Sequence, residues 1–152
     1  MNAPLPDTGA LTLDQQMCFV LSVATRNVVA IYRPLLATVN LTPTQYLAML
    51  ALWQQGPLSV RSLGHMLELD SGTLSPLLKR LEALGYVRRG RDPADERSVV
   101  VTVTAEGTAL RDRAASIPSA VRDRLGMPID DMEHLIAVLA AVIAATRPAS
   151  AA

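Results

Sequence analysis

Apolar residues recur at three- and four-residue spacings over most of the chain, and the period drops to two in one stretch. Leu13, Met17, Val20, Leu21, Ala24, Val28, Ile31 and Leu35 make one near-heptad stripe, which predicts a helix from Thr12 to about Val39. Thr12 and Gln15 have capping-box spacing, and Pro34 is expected to kink this helix or restart it. Thr42-Pro43 reads as the cap and first residue of a second helix, with Tyr46, Leu47, Leu50 and Trp53 facing inward and Gly56-Pro57 ending it. A short helix over Val60–Leu67 follows. Asp70 or Ser71 caps the next one, whose stripe is Leu74, Leu77, Leu78, Leu81 and Leu84, with Gly85 as its stop.

The period then becomes two. Tyr86–Gly90 and Ser98–Thr104 read as strands, and the polar, proline-containing stretch Arg91–Arg97 as a hairpin tip. Thr104 caps a helix expected to continue to about Leu125 with a bend at Pro118, and Pro128 precedes a last helix, Ile129–Thr146. The expected fold is mainly α with a small β-hairpin wing, a winged helix-turn-helix. Residues 1–11 are expected to be a disordered tail, 12–147 a single domain, and 148–152 a second tail. Within the domain, 57–104 form the lobe that carries the two short helices and the hairpin, and 12–39 with 105–147 the long outer helices.

Composition narrows the function. Half of the 152 residues are hydrophobic but few are aromatic, so the core must be aliphatic. No unbroken apolar run is long enough to cross a bilayer, and residues 1–10 lack the basic-then-apolar order of a signal peptide. The single Cys cannot make an intrachain disulfide, which suits a reducing cytoplasm. His65 and His134 lie far apart, and no Cys/His cluster, glycine-rich phosphate loop or nucleophile elbow is present. Neither an enzyme nor a cofactor or metal site is expected.

Net charge is zero, but its distribution is uneven. Arg61 to Arg91 carries six basic residues against Glu68, Asp70 and Glu82, whereas the stretch from Met127 carries Asp130, Asp131 and Glu133 against Arg147. Such asymmetry suits a local phosphate-facing surface on a neutral protein. With the Leu74–Leu84 stripe buried, the helix behind it presents Ser71, Gly72, Ser75 and Lys79, flanked by Thr73 and Arg80. Small hydroxyl residues let a helix approach the major groove, and Lys79 and Arg80 reach phosphates. Arg89 and Arg91 stand at the base of the hairpin. Arg97, placed at its tip, can enter a minor groove, while Asp95 shapes the wing by holding its neighbours. A Lys-Arg pair on an exposed helix is also ordinary solvated surface; the order helix, helix, basic hairpin is what favours DNA.

Asp70-Ser-Gly-Thr-Leu-Ser-Pro-Leu-Leu-Lys-Arg-Leu-Glu82, Gly85-Tyr-Val-Arg-Arg89 and Asp95-Glu-Arg-Ser98 resemble the MarR family of dimeric repressors, over about Leu13 to Thr146. The resemblance implies a homodimer formed through the N- and C-terminal helices (12–39 and 105–147), with 57–104 as the DNA-binding lobe and two wings on a pseudo-palindromic operator. Leu13-Asp-Gln-Gln-Met-Cys-Phe19, Tyr32-Arg-Pro-Leu-Leu36 and Gln45-Tyr-Leu47 are similar to the branch that senses organic hydroperoxides. That branch implies Cys18 as a sensor whose thiolate becomes a sulfenic acid, with partner tyrosines on the other subunit, here Tyr32. Two further tyrosines of the branch are absent: Ser22 and Pro43 stand at those positions.

Physical reading of Cys18 alone leaves a small buried hydrophobe as the alternative. Counted from Thr12 it is well into the helix, where dipole help is mostly spent, and Asp14 opposes a thiolate. Tyr32 falls on nearly the same helical face but about 21 Å along the axis, so the two meet only across two chains or if the chain folds back. Two other functions stay open. One is a repressor controlled by a small aromatic or phenolic effector, with Cys18 passive; the other is a winged-helix protein-interaction module without DNA.

Overall fold

A computed structural model describes residues 11–149. After one 3-10 turn, the elements are α1 (Met17–Ala37), α2 (Pro43–Gln55), β1 (Leu58–Ser59), α3 (Val60–Leu67), α4 (Ser71–Ala83), β2 (Val87–Asp92), β3 (Asp95–Val103), α5 (Ala105–Ala114), α6 (Ile117–Leu125) and α7 (Ile129–Thr146). The mainly helical winged fold is as expected. The predicted N-terminal tail, apart from Leu11, and the last three residues of the C-terminal tail lie outside the described residues.

The first helix begins later than its sequence predicts. Leu13–Gln15 is the 3-10 turn, and Thr12 makes no side-chain cap bond, so the expected capping box is absent. Gln16, in extended backbone, is the N-cap of α1. Pro34 does not divide α1, which runs through to Ala37. The lost donor falls near the end of the helix, opposite the exposed Ala30. In α2 the box does form: Thr42 Oγ1 accepts from Gln45 N–H at 3.2 Å and Gln45 Oε1 accepts from Thr42 N–H at 2.9 Å.

Two expectations about faces and boundaries fail. Leu47 and Leu50 point outward, while Ala48, Met49, Ala51 and Leu52 join Tyr46 in the core. Because α2 is apolar on nearly every side, its periodicity does not mark the buried face. The helix expected to reach Leu125 breaks at Ala115–Ser116, because Pro118 cannot donate to the preceding turn and instead occupies the first turn of α6.

The sheet is antiparallel in the order β1-β3-β2. Strand β1 is too short to show alternation and was not expected; it pairs Leu58 with Val101. Leucines 63, 74, 78, 81 and 110 with Val87 and Val101 fill one aliphatic core beneath α2, α3, α4 and the sheet. Trp53 Nε1–H donates to the Gly107 carbonyl at 3.0 Å, tying α2 to α5. Gly107 must be glycine, since a Cβ there would overlap the Tyr86 carbonyl. The outer helices are covered differently. Leu36 is the one buried residue of α1, and α7 has none. By length and mean hydropathy α1 could cross a bilayer, but its inner part packs on the core through Ile31, Tyr32 and Leu35.

Candidate nucleic-acid interface and thiol

Helix α4 is set by its cap and its stripe. Asp70 accepts from Thr73 N–H at 2.7 Å, and this bond, more than any other influence, holds the Asp70 carboxyl below its usual range. Leu74, Leu77, Leu78 and Leu81 anchor the inner face. Pro76 sits within the helix on the exposed side, where the carbonyl it leaves unpaired, that of Gly72, belongs to an exposed residue. Pro76 therefore leaves the first turn regular, and the helix starts at Ser71.

The structure separates the residues expected to face DNA into two groups. Ser71 and Ser75 line an open cleft of about 1470 Å³ between α3, the start of α4 and the wing, together with Arg61, His65, Arg89 and Arg97. Arg80 faces the other way, into a smaller cleft of about 400 Å³ beside Asn40, Thr42 and Gln45 at the α1–α2 turn. At 100° per residue, Lys79 lies between these flanks and Thr73 leans toward Arg80; both are exposed. Arg61 and His65 of α3 join the predicted residues in the larger cleft. Their signal was four-residue spacing on the outer face of α3.

The wing distributes its charges between structure and surface. Its turn is Pro93-Ala94, held by Asp92 Oδ1 accepting from Ala94 N–H at 2.9 Å. Arg97 is therefore on β3, not at the tip. Arg91 pairs with Val99 and Asp92 with Asp95, so Glu96, Arg97 and Ser98 have no register partner and form a bulge. Side chains satisfy the bulge: Arg91 Nη1–H donates to the Glu96 carbonyl at 2.7 Å, and Asp95 Oδ1 accepts from Arg97 N–H at 3.1 Å. Asp95 thus shapes the wing through the backbone of Arg97. Arg89 is held too. Its N–H donates to Glu82 Oε2 at 2.8 Å and its Nε lies 3.4 Å from the same oxygen. The backbone bond is the main cause, and the side-chain bond the next, that keep the Glu82 carboxyl below its ordinary range. Among the described residues, the side chains of Arg97, Lys79 and Arg61 have no such partner. They are exposed cations on this face.

Cys18 is exposed and is the second residue of α1. The late start of the helix reverses the expected placement: the thiol is in the first turn, where a helix end favours negative charge. Ser22 Oγ–H donates to the Cys18 carbonyl at 2.6 Å, so that hydroxyl serves the backbone. Tyr32 lies on the same unbroken helix, about 21 Å along the axis. It is half-buried, with its ring 6.1 Å from that of Tyr46 and tilted by 43°. Burial, and then the nearness of Tyr32, raise the Tyr46 phenol above its usual value. No group of three or more His, Cys, Asp or Glu side chains able to hold a metal occurs among the described residues.

A capped helix-turn-helix with a bulged basic wing defines a DNA-binding protein of the winged-helix class. Residues 41–99 match the MarR family. The chain is 45% identical over 131 residues to the HTH-type transcriptional regulator TtmR of Methylorubrum extorquens, covering 86% of this chain and 67% of that protein. It is 40% identical over 129 residues to the organic hydroperoxide resistance transcriptional regulator of Bacillus subtilis, covering 85% and 88%. Among solved structures, reduced AbfR bound to DNA superposes with a TM-score of 0.70 at 31% identity, over 86% of this chain and 91% of that one. The chain belongs to the MarR family and is similar to its organic-hydroperoxide branch. It is a DNA-binding transcriptional regulator, not an enzyme.

Proposed function

We propose that this regulator is a cytoplasmic homodimeric repressor that leaves its pseudo-palindromic operator when an organic hydroperoxide oxidises Cys18. The observation that carries this reading is the placement of Cys18: exposed, in the first turn of a helix whose outer apolar face its own chain leaves uncovered. In the sensing step the thiolate sulfur attacks the distal peroxide oxygen. An S–O bond forms as the O–O bond breaks, and the alkoxide takes a proton and leaves as an alcohol. Sulfur is oxidised by two electrons to the sulfenic acid. Tyr32 of the partner subunit is the hydroxyl donor to the thiolate, because within one helix the two residues cannot meet.

The duplex is bound on the face that carries Ser71, Ser75 and Lys79, with Thr73 and Arg80 on one flank and Arg97 entering a minor groove. Arg89 and Arg91 act through wing geometry, consistent with their bonds to Glu82 and to the Glu96 carbonyl. The cleft beside Arg80, walled by Ala37, Leu41 and Leu84, favours a second reading in which a small aromatic or phenolic effector controls release and Cys18 is passive. One experiment separates the two. Wild type and Cys18→Ser, each bound to operator, are treated with an organic hydroperoxide. Release of the wild type alone is expected; equal release of both would remove Cys18 from the switch.

A further inference from the structure

Arg147, the residue that closes α7, reaches back to the turn between α3 and α4. Its Nε lies 2.7 Å and its Nη2 2.6 Å from Glu68 Oε1. Glu68 closes α3 in left-handed backbone, at φ 55° and ψ 38°. The turn it begins is tight: Leu69 N–H returns to the Gly64 carbonyl at 2.9 Å, and a Cβ on Gly64 would press on Leu69 O and the Leu74 side chain. Two residues after Glu68 comes Asp70, the cap of α4. A displacement of Glu68 therefore carries the first turn of α4 with it.

Helix α7 is an arm of 18 residues, about 27 Å long. None of those residues is buried, and Ile129, Leu135, Ile136, Val138 and Ile143 are exposed. We propose that Arg147 and Glu68 are positioning residues for DNA reading: the ion pair fixes the end of α7 on the α3–α4 turn, so the packing of α7 sets where α4 stands relative to its symmetry mate. The inference rests on the dimer reading above, in which a second copy covers α7. As an exposed pair it adds little to stability. Its effect is on geometry, transmitted to the cap of α4.

The sign of one variant separates positioning from simple electrostatics. Glu68 is a negative charge lining the cleft that faces the duplex. If charge alone mattered, neutralising it would tighten DNA binding. Positioning predicts the opposite. Glu68→Asn is the variant to use, because Asn tolerates left-handed backbone but is too short to reach Arg147. Glu68→Asn, Arg147→Gln and the double variant are titrated against a two-half-site operator, with sedimentation and thermal melting as controls. The expected result is a loss of about two- to fivefold in affinity for each single variant, the range an exposed ion pair supports. The double variant is no weaker than either single one, and melting and dimer mass are unchanged. Tighter binding by Glu68→Asn, or losses that multiply in the double variant, would overturn the positioning role. A wild-type chain that sediments as a monomer would instead overturn the dimer reading on which it rests.

Discussion

Between Leu41 and Val103 the chain buries most of its large apolar side chains itself, whereas along the outer part of α1 and all of α7 it buries none. Met49, Leu52, Leu63, Leu74, Leu78 and Leu81 are essentially inaccessible. Met17 is 66% exposed and Ile136 61%. The first region is a finished domain core; the second has an apolar surface that monomeric proteins rarely leave open. The contrast suggests a division of labour. In the proposed dimer, one chain builds the reading lobe, and a second copy completes the helix that carries Cys18 and brings the second reading helix.

That comparison breaks most visibly at α7. Ile136→Asp should give a monomer in sedimentation while the lobe stays folded by circular dichroism. Operator affinity should fall by at least about a hundredfold, because the second half-site is no longer held at high effective concentration. Leu78→Ala should do the reverse, lowering stability by about 2–5 kcal/mol in denaturant titrations without changing the dimer interface. If Ile136→Asp unfolds the lobe, or Leu78→Ala dissociates the dimer, the two regions are not separable.

Smaller effects sharpen the picture of the reading face. Lys79→Ala should weaken operator binding roughly evenly across sequences and reduce the salt dependence by about one phosphate contact, read from affinities at several salt concentrations. Glu82→Gln should act indirectly and more weakly. The Glu82 carboxyl is held below its unfolded value of 4.5 by Arg89. Its contribution is therefore present above that pH and lost as pH falls through the folded value. The stability advantage of wild type over Glu82→Gln should shrink in melts below pH 4.5. A constant difference would mean that the Arg89 contact does not distinguish the two charge states.

Sequence made the lobe legible where one signal dominated. Asp70 with its leucine stripe, Thr42-Pro43 with Gln45, and the alternating valines each specify an element that the structure contains. It misled where two signals compete. Thr12 and Gln15 have the spacing of a box, yet the chain makes a 3-10 turn first, and this moves Cys18 into the first turn of α1. The all-apolar α2 gives no phase, so Leu47 and Leu50 were assigned inward. The wing bulge follows from Arg91 and Asp95 satisfying backbone groups, which no periodicity records, and it takes Arg97 away from the tip. The Glu68–Arg147 pair joins residues 79 apart and leaves no local trace.

The central claim is that one sensing site is shared between two chains, and mixed dimers test it directly. Cys18→Ser and Tyr32→Phe chains, differently tagged, are co-expressed, and the heterodimer is purified. Its Cys18 oxidation is then followed with an organic hydroperoxide. A shared site leaves one intact Cys18–Tyr32 pair in the heterodimer, so its single thiol should oxidise at the wild-type rate while the Tyr32→Phe homodimer is slow. A heterodimer as slow as the Tyr32→Phe homodimer would contradict the account, because the tyrosine would then serve the cysteine of its own chain.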